Sequence, residues 1–398
     1  MGRPPLEVAD LIRAAGQRFI ERSRKWLTGQ HLKVLQAIQR CRTAALGGHI
    51  DECSRCGQRA ISYNSCRGAL WARHCPKCQS NARERWLEAR RQELLPTRYV
   101  HVVFTLPHLL APLALQNKKV IYDLLFRTSA ETLIEVARDP KHLGAEIGFF
   151  SVLHTWSQKL EHHPHLHCVV PAGGLSLDHA SWIKPRYPFF LPVKVLGRVF
   201  RGKFVAGLKV AFARGRLGFH GQLKFLADPK TFRSWLRQLF RQDWVVYSKR
   251  PFGGPEHALR YLGRYTHRVA ISNHRLVSFV DGQVTFRWRD SAHKNKKRLM
   301  TLPVDEFLRR FLLHLLPQRF VRIRHFGFLA NRRRAALLPL CFQLLESTTA
   351  SRPEESTAAN RTAAVWTCPL CGGPMMLIER ITAAQIRLRS PPIQVTCA

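Results

Sequence analysis

The sequence is short of acids. Its 398 residues hold 26 Asp and Glu against 64 Lys and Arg, a formal net charge of +38 near neutral pH and a pI near 11.0. An excess of this size repels itself in a compact chain, and a polyanionic partner explains it most simply, nucleic acid before an anionic membrane. Long apolar runs are missing as well. No stretch approaches the roughly 20 uninterrupted apolar residues that a membrane span requires, and Glu7 and Asp10 interrupt the N-terminal stretch, so neither a span nor an export signal is expected. Internal repeats are absent, and the glycine-rich places lack the Lys-Ser/Thr of a phosphate-binding loop. A cytosolic protein working on DNA, with no membrane partner, is the expectation.

Cysteine is plentiful. Six of the 11 cysteines fall in Cys-x-x-Cys pairs, and without an export signal that pattern speaks for metal rather than disulfides. Eighteen residues separate Cys53-Ser54-Arg55-Cys56 from Cys75-Pro76-Lys77-Cys78, inside the spacing of a four-cysteine structural zinc site. The expected ligands are Cys53, Cys56, Cys75 and Cys78, with Cys66 or His74 as substitutes. Reduced cysteines buried without metal would leave two correctly spaced knuckles unexplained. Four protein ligands close a site to substrate, so Zn2+ here serves folding and DNA docking. Arg55, Arg59, Arg67, Arg73 and Lys77 are the expected phosphate-facing charges. Near the end of the chain Cys368-Pro369-Leu370-Cys371 reads as half a knuckle, with only Cys397 close by to extend it.

The local patterns place elements of both kinds. Val8, Leu11, Ile12, Ala15 and Phe19, then Leu32, Leu35 and Ile38, keep helical spacing and predict two amphipathic helices closed by Gly47-Gly48. Tyr99 to Pro107 alternates as a core strand, Lys118 to Arg138 follows a helical pattern, and a strand over Gly148 to Gln158 leads through a short polar loop into a second strand. That second strand carries His163-Pro164-His165-Leu166-His167. Leu166, Cys168 and Val170 alternate with His165, His167 and Val169, so one face is apolar and the other presents both imidazoles. Two neutral imidazoles on one face can hold a divalent cation. On the neighbouring strand His154, Trp156 and Gln158 share a face; Gln158, nearest the loop, is the expected third ligand, with His163 as competitor.

Ninety-six residues beyond His165 stands Tyr261-Leu262-Gly263-Arg264-Tyr265. Pro255 suits a first helical position, and spacing of four puts Tyr261 and Tyr265 on one helix face. Phenols are poor nucleophiles at neutral pH, and a Lewis acid on a facing strand would stabilise charge on an attacked phosphodiester. A lone His-x-His is ordinarily a polar surface pair, and paired tyrosines ordinarily pack; their conjunction in so basic a chain is what singles them out. Further on, Arg275 to Trp288 predicts a hairpin around Asp281-Gly282. Arg287 to Arg334 holds 14 Lys or Arg against three acids, with Trp288 and several phenylalanines between them. That mixture suits unpaired DNA, where backbone charge and base stacking both contribute; Arg264, Arg268, Arg287, Lys294, Lys296, Lys297 and Arg298 are the DNA-binding candidates. Glu346 to Thr362, rich in Ser, Thr, Ala and Glu, reads as a linker. The expected division is 1–95 helical and zinc-binding, 96–345 catalytic, 346–364 linker and 365–398 tail.

Taken in order, these motifs resemble the two-tyrosine HUH transposases of bacterial rolling-circle insertion sequences, the insertion-sequence-91 family. Cys41 to His49 and the cysteine cluster look like the family's zinc-binding domain, and Tyr99 to His108 like its first nuclease motif. His154-Thr155-Trp156 through His167 looks like the second, and Tyr261 to Arg268 like the third. The resemblance covers most of the chain. It implies an α+β fold with a ferredoxin-like antiparallel sheet, preceded by the helical, zinc-binding part. It also implies Mg2+ or Mn2+ on His165 and His167, and Tyr261 and Tyr265 as nucleophiles that form 5'-phosphotyrosine links. The implied partners are single-stranded or hairpin element ends, target DNA and host replication factors, in a nucleoid-associated bacterial protein.

Three other readings compete. A tyrosine recombinase needs an Arg-His-Arg constellation and no metal; Arg264, His267 and Arg268 crowd the tyrosine, and the histidine strand would be idle. A non-enzymatic zinc-containing DNA-binding regulator leaves the histidines and paired tyrosines unexplained. A three-carboxylate transposase lacks grouped acids.

Overall fold

The computed structural model describes residues 4–66, 74–78, 86–249, 253–254, 257, 263, 270–290, 293–346 and 366–389. Helix α1 (Val8–Ser23) begins at a box in which the Glu7 backbone N–H donates to Asp10 at 2.9 Å, and its apolar stripe is buried against α2 (Gly29–Arg40). Strands β1 (Gly48–Cys53) and β2 (Arg59–Tyr63) form the next hairpin.

The middle of the chain runs β3 (Tyr99–Thr105), α3 (Ala111–Gln116), α4 (Lys118–Arg138), β4 (Gly148–Trp156) and β5 (His162–Pro171). A two-residue ribbon, β6 (Gly174–Leu175) with β7 (Trp182–Ile183), precedes α5 (Val193–Ala213), α6 (Pro229–Gln238) and β8 (Val246–Ser248). A meander of β9 (Leu276–Val280), β10 (Gln283–Asp290) and β11 (Lys296–Pro303) leads into α7 (Val304–Leu313). Then come β12 (Ile323–Gly327), α8 (Asn331–Glu346), β13 (Met375–Ile381) and α9 (Ala383–Arg389).

The central sheet has the order β12-β4-β5-β3-β8, every neighbouring pair antiparallel. Setting the edge strand β12 aside, the chain passes β3-α4-β4-β5-α5-β8, a β-α-β-β-α-β path whose third strand, β5, lies between the first and second. That is ferredoxin-like connectivity, and the class is α+β. Alternation decides which face is covered. Val100, Val102, Phe104, Leu166, Cys168 and Val170 point with Phe149 and Leu153 into a core roofed by α4 and α5, where Phe104 meets Phe200 at 4.9 Å. The opposite face carries the histidines.

A second core joins α1 and α2 to the meander and α7, so residues near the N-terminus share buried contacts with residues 270–315. The Asp281-Gly282 turn of that meander has positive φ at both residues, +47° and +72°, as a tight two-residue hairpin turn demands. The tail departs from the sequence expectation: β13 pairs antiparallel with β1, so that the N-terminal sheet runs β13-β1-β2.

Phe104 is fully buried beneath α5. Phe104→Ala is expected to lower unfolding free energy by about 3–5 kcal/mol, measured by denaturant titration; a loss under about 1 kcal/mol would show that the sheet and helix pack more loosely than described.

Candidate active site and metal centres

Adjacent central strands build the histidine site. In the β4–β5 register His154 stands directly opposite His165, and Val152 opposite His167. His167 follows His165 by two residues, so the three imidazoles share the sheet face away from α4 and α5. Their ring nitrogens come within 4.8 Å of one another, and His154 and His167 are buried.

Second contacts orient the rings. His165 Nδ1–H donates to the His163 carbonyl at 2.7 Å, which leaves the lone pair on Nε2. His167 Nδ1 lies 2.7 Å from Nε2 of His101 on β3, and those two rings stack at 5.0 Å. Trp156 stacks on His154 at 4.7 Å. Burial pushes the pKa of His165 down to about 4 and that of His101 to about 3, with Lys249 reinforcing the latter, so both are neutral near pH 7. Three imidazoles form a donor set for one divalent cation, and no carboxylate among the described residues joins the group.

The structure sets His154, rather than the expected third ligand Gln158, beside His165 and His167. β4 ends at Trp156, and a register shift falls between His154 and Trp156. Gln158 therefore sits exposed in the turn beyond the strand, where its carbonyl accepts from Arg275. His154 takes the place opposite His165, and its position two residues before Trp156 on the same strand face was the available signal. His163 contributes its carbonyl to His165. His101 was missed, because a histidine alternating into a core strand carries no spacing signal of its own.

The tyrosines, Tyr261 and Tyr265, and Arg264 and Arg268 lie outside the described residues. Of that stretch His257 and Gly263 are described; both are helical, and Gly263 is buried. The remaining DNA-binding candidates gather on the β10–β11 hairpin. Arg287, Lys296, Lys297 and Arg298 are exposed on its strands and Lys294 is exposed at its tip. Arg298 pairs with Asp290 at 3.0 Å, and Lys159 Nζ lies 4.6 Å from the centre of the Trp288 ring.

The cysteines divide differently from their spacing. Cys75 and Cys78 join Cys41 and Cys66 in one group, all four buried, whereas Cys53 and Cys56 join Cys368 and Cys371 in another. Sulfur separations in the first are 3.3 Å for Cys41–Cys78 and 3.5 Å for Cys66–Cys78. Zinc bonded to four thiolates at about 2.3 Å sets its sulfurs about 3.8 Å apart, so both groups suit it. Hydrogen bonds from Cys41, Cys66 and Cys75 hold the Cys78 thiol well below its ordinary pKa, while Cys41 and its neighbours push Cys75 far up. Four thiolates this close repel one another unless a cation lies among them. The predicted four-cysteine set is thus split between two centres. Cys66 is a member and His74 is not; the end of α2 delivers Cys41, which no short motif announces, and the β1–β13 pairing brings the Cys368–Cys371 half-knuckle to Cys53 and Cys56. Lys77 is corrected too: it is turned inward, 2.6 Å from Glu7 at the start of α1, and so ties the first cysteine group to that helix.

Comparison with known proteins places these features. The family described as "Putative transposase" matches residues 148–336, and the one described as "Transposase zinc-binding domain" matches residues 11–106. The chain is similar to "Putative transposase y4qJ" of Sinorhizobium fredii, 55% identical over 87% of this chain and 85% of that protein. It is also similar to "Transposase for insertion sequence element IS801" of Pseudomonas savastanoi pv. phaseolicola, 27% identical over 95% and 88%. No solved structure matches the chain.

Behind the site, buried His314 donates Nε2–H to the Leu160 carbonyl at 3.1 Å and lies 3.4 Å from the Thr155 hydroxyl, while His162 accepts from Tyr122 at 2.8 Å. Desolvation lowers both imidazoles to a pKa of about 3. In the unfolded chain they take up protons near pH 6.5, so below that point the unfolded state binds more protons and stability declines as pH falls toward 3. His314 alone accounts for up to about 1.4 kcal/mol per pH unit in that window. Thermal melts between about pH 8 and about pH 4 are expected to show Tm falling below about 6.5, less steeply in His314→Asn; an equal slope in both proteins would assign the effect to other groups.

Proposed function

Because the chain belongs to the insertion-sequence-91 family of transposases, we propose that it nicks single-stranded DNA at the ends of its element through 5'-phosphotyrosine intermediates and transfers the strand in rolling-circle transposition. The observation that carries this reading is the convergence of His154, His165 and His167 on the face of the central sheet turned away from α4 and α5. Such a cluster has no packing purpose that three apolar residues would not serve better, since burying polar rings is unfavourable unless they are engaged.

His154, His165 and His167 would hold the catalytic Mg2+ or Mn2+, whose Lewis acidity stabilises charge on the attacked phosphoryl oxygens. An all-imidazole set favours Mn2+ over Mg2+, which prefers carboxylate and water oxygens. His163, through its carbonyl, and His101, through its ring, orient His165 and His167, because the outer nitrogen of a ligating imidazole fixes the ring.

Tyr261 or Tyr265 supplies the phenolic oxygen that bonds to phosphorus as the phosphorus–3'-oxygen bond breaks. The phenol loses its proton, the leaving 3'-oxygen gains one, and the 5' end stays on the protein. Two tyrosines permit two sequential cleavages with strand exchange between them. The basic β10–β11 hairpin, with Arg287, Lys294, Lys296, Lys297 and Arg298, holds the strand's phosphates, and Trp288 beside it offers a face for a base. Arg264 and Arg268 flank the nucleophile in sequence and would steady the same phosphates. The zinc-bearing residues 1–95 dock the element end, and residues 96–345 carry the chemistry.

The test is a denaturing gel with 5'- and 3'-labelled single strands bearing the element end, with and without Mn2+. A protein adduct carrying only the 3' label is expected, absent with EDTA and in Tyr261→Phe with Tyr265→Phe. His154→Ala is expected to reduce it by more than about 100-fold, and Gln158→Ala to leave it within about threefold. A metal-independent adduct carrying the 5' label would instead indicate recombinase chemistry, and tight binding with no adduct a regulator.

A further inference from the structure

The Cys53, Cys56, Cys368 and Cys371 group joins residues up to 318 positions apart, and its second half lies beyond both matched family regions. The two halves are built alike. In Cys53-Ser54-Arg55-Cys56-Gly57 the Gly57 N–H donates to the Cys53 carbonyl at 3.0 Å; in Cys368-Pro369-Leu370-Cys371-Gly372 the Gly372 N–H donates to the Cys368 carbonyl at 2.9 Å. Both glycines are left-handed, with φ of +70° and +69°, the backbone a knuckle needs to aim two sulfurs at one point. The β1–β13 register sets Cys53 opposite Met375, and the Ser54 N–H donates to the Pro374 carbonyl at 3.0 Å, so the sheet itself lays one knuckle beside the other. Sulfur separations across the junction are 3.4 Å for Cys53–Cys371, 3.7 Å for Cys56–Cys368 and 3.4 Å for Cys56–Cys371.

Apolar burial holds the tail at few points, with Met375, Ile381 and Ile386 buried. Met376, Leu377 and Ile378 of β13 are about half exposed, and the apolar cluster under the junction consists of Cys53, Cys368 and Met375 with Ala60 beside them. An edge strand with so small a buried face needs another fastening. Loop closure over several hundred residues adds only logarithmically to the entropic opposition, so a metal cross-link of this span is feasible.

We propose that this group is a second zinc centre, a clasp that fastens residues 366–389 onto the N-terminal sheet and links the two ends of the chain. The clasp is also the more labile centre. Cys56 and Cys371 are exposed, whereas Cys41, Cys66, Cys75 and Cys78 are all buried, so a chelator reaches the clasp first.

The experiment uses the full-length protein purified with zinc, and none of its readouts depends on DNA cleavage. Metal analysis is expected to find two zinc ions per chain, one for each four-cysteine group, with one released early by a mild chelator. Cys368→Ser with Cys371→Ser is expected to retain one, the slowly released ion. One zinc per chain in the unaltered protein, or two in the variant, would overturn the proposal. A second measurement covers the case of a misfolded variant: a specific protease site is introduced between Glu355 and Ser356 and cleaved. The C-terminal fragment is expected to co-elute with the remainder while zinc is present and to separate once the early ion is removed. A fragment that separates with zinc bound, or that stays after the early ion has gone, would rule out a clasp.

Discussion

The antiparallel register between β4 and β5 decides which side chains meet on the sheet face turned away from α4 and α5. A slip of one residue would turn His154 toward the core beneath α4 and α5 while His165 and His167 stayed on the opposite face. The register is held by what lies on the other side: Phe149, Leu153, Leu166 and Cys168 must all be buried under the helices, and no neighbouring register buries them together. The core thus specifies the position of polar groups it never touches. β3 completes the arrangement by bringing His101 against His167.

Around this sheet the chain folds back on itself more than its linear order suggests. α1 and α2 share a core with the β9–β11 meander and α7, and the C-terminal strand β13 completes the N-terminal sheet. The zinc-binding part is therefore braced against the region that carries the basic hairpin. The buried Glu7–Lys77 pair contributes to the same bracing, since it joins a helix start to a cysteine turn inside the protein.

The excess positive charge has two fates in the structure. Part is neutralised locally, as in the Arg324–Asp123 and Arg333–Glu146 pairs. Both pairs are partly buried, and each offsets positive charge that would otherwise crowd its surroundings. Part is exposed, including Arg287, Arg289, Lys296, Lys297 and Arg298 along β10 and β11, where Asp290 is the one acid. With 26 acids in the whole chain, self-repulsion is tolerable chiefly when a polyanion is bound.

Much of this was legible without a structure. The alternation in Tyr99 to Thr105 and in Leu166 to Val170, the helical spacing of α1, α2 and α4, and the Asp281-Gly282 turn are local patterns, and each gave the element expected, although α2 ends at Arg40 and not at Gly47-Gly48. They rest on the periods of strand and helix, which any short stretch displays by itself. His165 and His167 were visible for the same reason, being two residues apart on one strand. The third histidine and the partnerships of the cysteines were not. Cys53 and Cys75 look like halves of one site when spacing is the only guide, yet β13 brings Cys368 and Cys371 to the first pair and the end of α2 brings Cys41 to the second. By itself the sequence determined the element types, the charge, the family and two of the three clustered histidines. Only the tertiary structure decided which distant residues meet, because strand pairing and core burial are settled across hundreds of residues and leave no periodic trace in any one stretch.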